Sequence, residues 1–360
     1  MKWPFRRIER FLRKAWSKRF PAHPVPVSEP TRPREPGPTR IVAVTRVLDE
    51  ADIIEAFVRH TAVYAGHHVI LDNGSRDGTL EILRSLKTEG LGLTILQNIT
   101  ASFYQKELNT YLYRYAARTC RADWVLCLDA DEFIDDRALE GELTTTLERL
   151  AADGILCATV PLTNFERAAD DPDEAIVPLR MRRHGPVLPV KKVFVQGRIA
   201  ATTDIANGNH SATYDGVRLD EHLIPGLTLA HYSHRSPYQR VVKCVRGWSK
   251  VTAAGSAEVA NRTSYHYRGL FEIIRDRPQH FFRRARFMSP PAHDELPVDP
   301  IHYRGGPLRY STATDEPMRA IRCMVGHLET LAERHGRLLE EIPEARARTQ
   351  AWNDEIREIT

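Results

Sequence analysis

The sequence predicts an α/β fold in which helices cover both faces of a mostly parallel, Rossmann-like sheet, with a mainly helical extension at the C-terminus. Two observations predict this class. Between residues 40 and 160, short apolar runs alternate with segments of helical periodicity, a pattern typical of parallel sheets. After residue 236, segments of helical periodicity dominate, which predicts the extension.

The first half of the chain contains the elements of the sheet. Apolar runs predict strands at 41–44, 68–71, 93–96, 124–128 and 155–160. The segments between them, 49–64, 78–86, 105–117 and 137–150, have helical spacing. Right-handed crossovers limit the topology to a Rossmann-like half. In such a sheet, ligands bind beyond the carboxyl ends of the strands, where the strand order reverses.

The second half is less regular. Residues 162–190 are rich in acids and prolines, which favours a long surface excursion. Short strands are predicted at 191–195 and 227–232, and a Pro- and Gly-rich loop at 289–310. Helices are predicted at 236–250, 270–287, 316–335 and 344–359.

The N-terminal segment differs in charge from the rest. Residues 1–20 carry eight Lys or Arg and one Glu, a net charge of +7 in a chain of +4, so the rest sums to about −3. An apolar stripe predicts a basic amphipathic helix, followed by a proline-rich linker over 21–39. The helix suits an anionic membrane surface. The alternatives are docking on the body or on a partner, and nucleic-acid binding. We therefore expect a catalytic domain over 40–235 and the helical extension over 236–360.

Composition is that of a soluble globular protein, with 42% hydrophobic and 27% charged residues. Five scattered cysteines argue against a disulfide framework and fit a reducing compartment. The sequence contains no run of the roughly 18 apolar residues that a membrane span needs, and its start lacks the apolar core of a signal peptide. The expected location is therefore cytoplasmic, with peripheral association at the inner face of the membrane through the basic helix.

The stretch LCLDADEF places carboxylates directly after a buried strand. In an extended chain Asp129 and Asp131 would project to the same side. Neighbouring carboxylates raise each other's pKa unless a cation is present, and Mg²⁺ or Mn²⁺ takes such oxygen ligands. The alternative is a solvated loop after the strand.

A second polar strand end lies in LDNGSRDGTLEIL. Asp72 follows the strand, where a carboxylate can accept from a ribose hydroxyl or a base N–H. Asp77 can cap the helix that follows it. The alternative is a turn and a cap without ligand. Neither the dinucleotide G-x-G-x-x-G motif nor the P-loop motif occurs.

Downstream histidines and lysines are further candidates. His231 follows a short apolar strand and could complete a metal site, and Lys191 and Lys192 could neutralise a diphosphate. His210 lies in the turn-rich stretch NGNHSA. The alternatives are a structural role for the histidines and solvation for the lysines.

These stretches together resemble glycosyltransferase family 2-like proteins. VTRVLDEADIIEAFVRHTAVYAGHHVILDNGSRDGT resembles their nucleotide-binding opening, and ADWVLCLDADEF their D-x-D strand. KKVFV, GNH and HYSHRSPYQRVVK resemble a subgroup related to domain-of-unknown-function 23 and family 92 transferases. The resemblance covers roughly residues 40–250. Where the family usually has K-N-E, this chain has Leu48-Asp49-Glu50.

The resemblance implies a GT-A type of fold and a metal-dependent transfer from a nucleoside-diphosphate sugar. It assigns the base and ribose side to Asp72 and Asp77, and the metal side to Asp129, Asp131 and His231. The same comparison implies a nucleotide-contacting set of Thr45, Arg46, Val47 and Glu50.

The implied enzyme would use Mn²⁺ or Mg²⁺ and transfer the sugar to a glycan or a lipid-linked acceptor, in surface polysaccharide biosynthesis. An inverting reaction needs a base for the acceptor hydroxyl, with five candidates: Asp170, Asp171, Asp173, Asp204 and His210. One alternative is a sugar-phosphate nucleotidyltransferase, which would be expected to carry a Gly-rich loop after the first strand. The other is a nucleic-acid-binding protein that uses the basic segment.

Overall fold

The computed structural model describes residues 37–99, 101–102, 104–168, 170–172, 176–260, 264–279, 295–311 and 316–353. The predicted N-terminal helix, most of the linker and the candidate base Asp173 lie outside these residues. Their assignments stay predictions.

The described residues form a large curled sheet and a small one. The large sheet contains β1 Ile41–Val47, β2 His67–Asp72, β3 Leu93–Gln97, β4 Trp124–Cys127, β5 Glu132–Asp135, β6 Cys157–Glu166, β7 Arg183–Gln196, β11 His222–Leu223 and β12 Thr228–His231. The small sheet contains β8 Thr203–Ile205, β9 Ala212–Tyr214 and β10 Val217–Arg218.

The helices are α1 Ile54–Thr61, α2 Thr79–Thr88, α3 Gln105–Arg118, α4 Leu143–Ala152, α5 Val177–Arg180, α6 Pro237–Ala253, α7 Ser256–Ala260, α8 His266–Asp276, α9 Glu316–Glu341 and α10 Pro343–Asn353. Period-two alternation along β1 sends Ile41 and Ala43 into a core that includes residues of α1, α2 and α4. Val42 and Val44 enter a second core on the opposite face, with residues of α3. The sheet is thus covered on both faces.

The order of the strands in the large sheet indicates where a ligand would bind. The large sheet runs β3-β2-β1-β4-β7-β6-β12-β5, with β11 beside β6. The first four strands are mutually parallel, whereas β7 is antiparallel to both β4 and β6. The order reverses between β1 and β4, so a crevice opens beyond their carboxyl ends. The predicted α/β class with a mostly parallel sheet is confirmed.

The predicted surface excursion over 162–190 is wrong at both ends. Within it, β6 continues to Glu166 and β7 begins at Arg183, and the two strands pair with irregular register. Pro186 and Pro189 misled the prediction. They lie where β7 pairs with β6 alone, since β4 reaches only Phe194 to Gln196. A strand edge tolerates the missing N–H of proline.

Two further boundaries differ from the predictions. The short strand β5 was not predicted, and the following helix begins at Leu143 rather than at 137. The helix predicted from 270 ends at Asp276, because Pro278 disfavours helical geometry at the residue before it. Arg277 accordingly has φ −145°.

The C-terminal segment packs over the sheet. Ser236 caps α6 by accepting a hydrogen bond from the Gln239 N–H (3.1 Å), and α6 packs against α8 and α9. Residues 295–311 cross α1, where the fully buried Glu55 accepts hydrogen bonds from three consecutive backbone N–H groups. Within the described part of the chain, we find no helix with the length and apolar character needed to span a bilayer.

Candidate active site

A cleft of about 910 Å³ opens at the carboxyl ends of β1 and β4. One wall is formed by the loops that follow these strands. The other is formed by α6, α8 and α9, so the C-terminal helices contribute to the site. The predicted site residues that line the cleft are Arg46, Val47, Glu50, Asp77, Asp129, Asp131, Lys192, His210 and His231.

The chain turns immediately after β4. The Glu132 N–H donates to the Asp129 carbonyl (3.1 Å), which closes a tight turn through Asp131. The expectation that Asp129 and Asp131 lie on an extended chain is therefore wrong. Both carboxylates still reach the cleft, but each meets a different cation.

Asp131 lies in a cationic pocket. Its carboxylate accepts from Lys243 Nζ (2.7 Å), with His231 Nε2 at 3.7 Å and Arg235 Nη1 at 3.9 Å. Burial opposes ionisation of this carboxyl group, but Lys243, His231 and Arg235 hold its pKa well below the usual range. Asp131 is therefore an ionised, largely buried carboxylate.

Asp131, Glu132 and His231 could hold a metal ion, because each offers a ligand atom and these atoms lie within 4.8 Å of one another. The His231 Nδ1 makes a 2.8 Å hydrogen bond with Asn164 Oδ1. With the amide oxygen as acceptor, Nδ1 carries the proton and the Nε2 lone pair faces Asp131. Carboxylate oxygens suit Mg²⁺ and Mn²⁺, so these residues fit the predicted ion.

Lys192 joins the remaining two acids of the turn. Its Nζ lies 2.5 Å from Asp129 and 2.9 Å from Glu132, and the side chain is 2% exposed. Burial raises the pKa of Glu132 to about 8, against the opposing effect of Lys192. Lys191 points elsewhere, to Glu221 (3.1 Å), and is absent from the described cleft lining.

The first loop contributes a second group of acids. The buried Arg235 donates to Asp52 (2.7 Å) and to Glu50, and its Nη1 also donates to the carbonyl of Tyr232. Burial raises the pKa of Glu50 to about 7, although Arg235 opposes this. Arg235 thus links the loop after β1 to the acid Asp131.

The other predicted nucleotide residues divide between cleft and core. Arg46 donates to Asn109 Oδ1 (2.7 Å), and burial lowers its pKa while Asp129 opposes the change. Thr45 is buried and makes a 2.9 Å hydrogen bond with His68. It is not among the described residues that line the cleft.

Asp72 and Asp77 hold their turn together. Asp72 is fully buried and accepts hydrogen bonds from Ser75 N (3.1 Å) and Gln97 Nε2 (3.0 Å), outside the described lining. Asp77 accepts from the Thr79 N–H at the start of α2 (3.0 Å), and burial raises its pKa. A ligand role for either acid stays a prediction.

Among the described candidate bases, His210 is the one that lines the cleft. Its Nδ1 bonds to the Lys191 carbonyl (2.8 Å), which leaves Nε2 as the acceptor. His210 is exposed at the rim of the cleft, but desolvation of its ring lowers its pKa, so the imidazole is neutral near pH 7. Gly208, at φ +68°, lies against the ring, and a Cβ there would come within 2.3 Å of Nε2.

The described acidic candidates are engaged elsewhere. Asp170 pairs with Arg183 (2.9 Å), Asp171 accepts from the Ala168 N–H (2.8 Å), and Asp204 pairs with Lys106 (3.1 Å).

One basic helix face was missed by the sequence reasoning. Lys243, Arg246 and Lys250 occur at i, i+3 and i+7 on α6, and all three line the cleft. Lys243 pairs with Asp131 and Arg246 with Asp49. The signal was present, because this spacing places three cations on one helix face.

Part of the chain matches a known protein family. Residues 50–185 match the family model described as "Glycosyl transferase family 2". The matched range contains Asp72, Asp129 and Asp131, whereas Lys192 and His231 lie beyond it. No curated protein sequence matches the chain significantly.

Two solved structures show a distant likeness. The mannosyltransferase PcManGT from Pyrobaculum calidifontis, in complex with GDP-Man and Mn²⁺, is 14% identical with a TM-score of 0.35, over 89% of this chain and 94% of that one. Glucosyl-3-phosphoglycerate synthase from Mycobacterium tuberculosis, in complex with Mn²⁺, UDP and glucosyl-3-phosphoglycerate, is 14% identical with a TM-score of 0.28, over 54% and 72%.

The fold and the cleft define an α/β protein with its candidate site at the carboxyl edge of the sheet. The match to the glycosyl transferase family 2 model covers residues 50–185, less than half of the chain, and includes the strand end with Asp129 and Asp131.

Proposed function

We propose that this protein transfers a sugar from a nucleoside-diphosphate sugar to a glycan or lipid-linked acceptor, with Mn²⁺ or Mg²⁺ as cofactor, in surface polysaccharide biosynthesis. The observation that carries the proposal is the group of Asp131, Glu132 and His231 at the cleft floor. Membership of the subgroup related to family 92 stays a prediction.

In this proposal Asp131 and His231 hold the ion, with Asp129 beside them. When bound, the ion neutralises the negative charge that develops on the leaving diphosphate. Lys192 and Lys243 add fixed positive charge at the same end of the cleft, and the burial of Lys192 makes its charge more effective than in water.

His210 is the base we assign to the acceptor hydroxyl. Its Nε2 is free to accept a proton, while the Lys191 carbonyl fixes the orientation of the ring. The lowered pKa keeps the acceptor form populated at neutral pH. Gly208 leaves the space that the ring occupies.

The test is a thermal-shift panel of nucleotide sugars with and without Mn²⁺, followed by product analysis with the donor that stabilises the protein most. We expect metal-dependent stabilisation by at least one nucleotide sugar and release of its nucleoside diphosphate. Formation of a nucleotide sugar from a sugar phosphate and a nucleoside triphosphate would instead indicate a nucleotidyltransferase. Stabilisation by nucleic acid alone would contradict the enzymatic proposal.

We also propose that the basic segment 1–20 holds the protein at the inner face of an anionic membrane. Its apolar stripe and its net charge of +7 support this. Deleting residues 1–38 should abolish sedimentation with acidic vesicles and leave the melting temperature nearly unchanged. If the truncated protein unfolds, the segment is a packed element. If the full chain binds DNA but not vesicles, the basic segment binds nucleic acid and not a membrane.

A further inference from the structure

One cation in the cleft differs from its neighbours. Lys192, Lys243 and Arg319 each pair with a carboxylate. Lys250 is 5% exposed, and its Nζ makes no hydrogen bond with any residue that the structure describes. A buried polar group without a partner costs free energy, so an ammonium group in this position calls for an acceptor atom.

The surroundings of Lys250 do not supply that acceptor. Burial, with smaller contributions from Arg246 and Arg46, lowers the pKa of Lys250 to about 7, and Asp72 only partly opposes this. His327 on α9, 6% exposed, likewise has an Nε2 without a partner among the described residues. The charged or titratable groups around Lys250 are Arg46 on β1, Asp72 on β2, Arg76 in the following loop, Arg246 on α6, and Cys323 and His327 on α9.

Lys250 lies about 10 Å along α6 from Lys243, the partner of Asp131, and so away from the group of Asp131, Glu132 and His231. It lines both the large cleft and a small adjoining cavity, and Asn73 and Gly74 after β2 line that cavity too. If the diphosphate binds beside Asp131, the nucleoside extends towards the turn after β2. This placement rests on the proposed function.

We propose that Lys250 recognises the nucleobase of the donor by donating a hydrogen bond from Nζ to a base carbonyl oxygen, O6 of guanine or O4 of uracil. Adenine and cytosine carry an amino group at the corresponding position. An amino group would face the ammonium donor without an acceptor, and a buried unpaired donor is strongly disfavoured. Lys250 would thus make the enzyme specific for keto bases.

The experiment is calorimetric titration of the full-length protein with GDP, ADP, UDP and CDP in the presence of Mn²⁺. We expect wild type to prefer GDP over ADP, or UDP over CDP, by about tenfold or more. Lys250→Met, which keeps the chain length and removes the donor, should reduce that preference to within about threefold. Lys87→Met, at an exposed position on α2, should bind like wild type.

A second readout needs no variant. A carbonyl acceptor stabilises the protonated lysine, so binding should raise the pKa of Lys250 from its value of about 7. At pH 7.5 the preferred nucleoside diphosphate should therefore bind with net proton uptake, measured as a dependence of the binding enthalpy on the ionisation enthalpy of the buffer. Lys250→Met should lose this dependence.

Each outcome has a distinct meaning. Equal weakening of all four diphosphates and of pyrophosphate by Lys250→Met would show that Lys250 contacts phosphate, and would overturn the base assignment. An unchanged base preference, or no proton uptake by wild type, would overturn it as well. Failure of wild type to bind any nucleoside diphosphate would contradict the proposed function itself.

Discussion

The two ends of the cleft use buried cations in opposite ways. At the metal end, Lys243 and Lys192 each lie within 3 Å of a carboxylate, and Arg235 bridges two acids. At the other end, Lys250 is 5% exposed, close to the 2% of the Lys192 side chain, but it has no hydrogen-bond partner among the described residues. Burial alone therefore does not indicate what a cation does.

This difference separates charges that hold the site together from a charge available to a ligand. A buried ion pair is strongly destabilised when one partner is removed, because the other charge is left without compensation. A buried cation without a partner is already uncompensated in the folded protein, so removing it leaves no opposite charge without compensation. Substitutions of the paired cations Lys192 and Arg235 should therefore affect both stability and activity. Substitution of Lys250 should mainly affect which ligand the protein binds.

The largest expected effect is that of Asp131→Asn on turnover. The change keeps size and hydrogen bonding but removes the negative charge that we assign to the metal ion. We expect turnover to fall by about three orders of magnitude, since an ion of this kind contributes several kcal/mol to the transition state. Stabilisation of the protein by Mn²⁺, measured as a thermal shift with nucleotide, should disappear.

The matched control is Asp153→Asn, at an exposed position after α4, which should keep both turnover and the Mn²⁺ shift. An Asp131→Asn enzyme with near-normal turnover and unchanged metal dependence would exclude this carboxylate as a metal ligand.

The next effect concerns stability, at Arg235. Arg235→Met leaves Glu50 and Asp52 without their shared cation inside the protein. We expect the free energy of unfolding in urea to fall by about 3–5 kcal/mol. Lys106→Met on α3 removes a solvent-exposed pair with Asp204 and should leave the urea midpoint unchanged. Equal midpoints for the two variants would mean that the buried network adds nothing to stability.

The parallel half of the sheet was predictable because its strands carry their own signal. β1, β2 and β4 are apolar runs buried on both faces, so periodicity located them and the carboxylates that follow them. β7 was only half predicted, because its first residues lie at an edge where prolines are tolerated.

The site was predictable only where its residues belong to a local motif. Asp129 and Asp131 follow β4 and His231 ends β12, and the structure brings Asp131 and His231 close together. The partner of Asp131 is Lys243, 112 positions away on a helix. Such a pairing depends on how α6 packs over the sheet, and no local pattern contains that information.

The smallest expected effect is that of substituting Lys191, which the sequence analysis assigned the same role as its neighbour Lys192. Lys191 and Lys192 alternate along β7, so one side chain faces Glu221 at the surface and the other enters the acid cluster. Lys191→Met should change the free energy of unfolding by less than about 0.5 kcal/mol, as for most surface substitutions. It should also leave nucleoside-diphosphate affinity, measured by calorimetry with Mn²⁺, at the wild-type value. Lys192→Met is the contrasting variant, because it leaves Asp129 and Glu132 in the interior without their cation. It should lower both the free energy of unfolding and the affinity for nucleoside diphosphate. If Lys191→Met weakened binding more than about fivefold, Lys191 would have to reach the diphosphate in the complex, and its surface pairing would belong to the free enzyme alone.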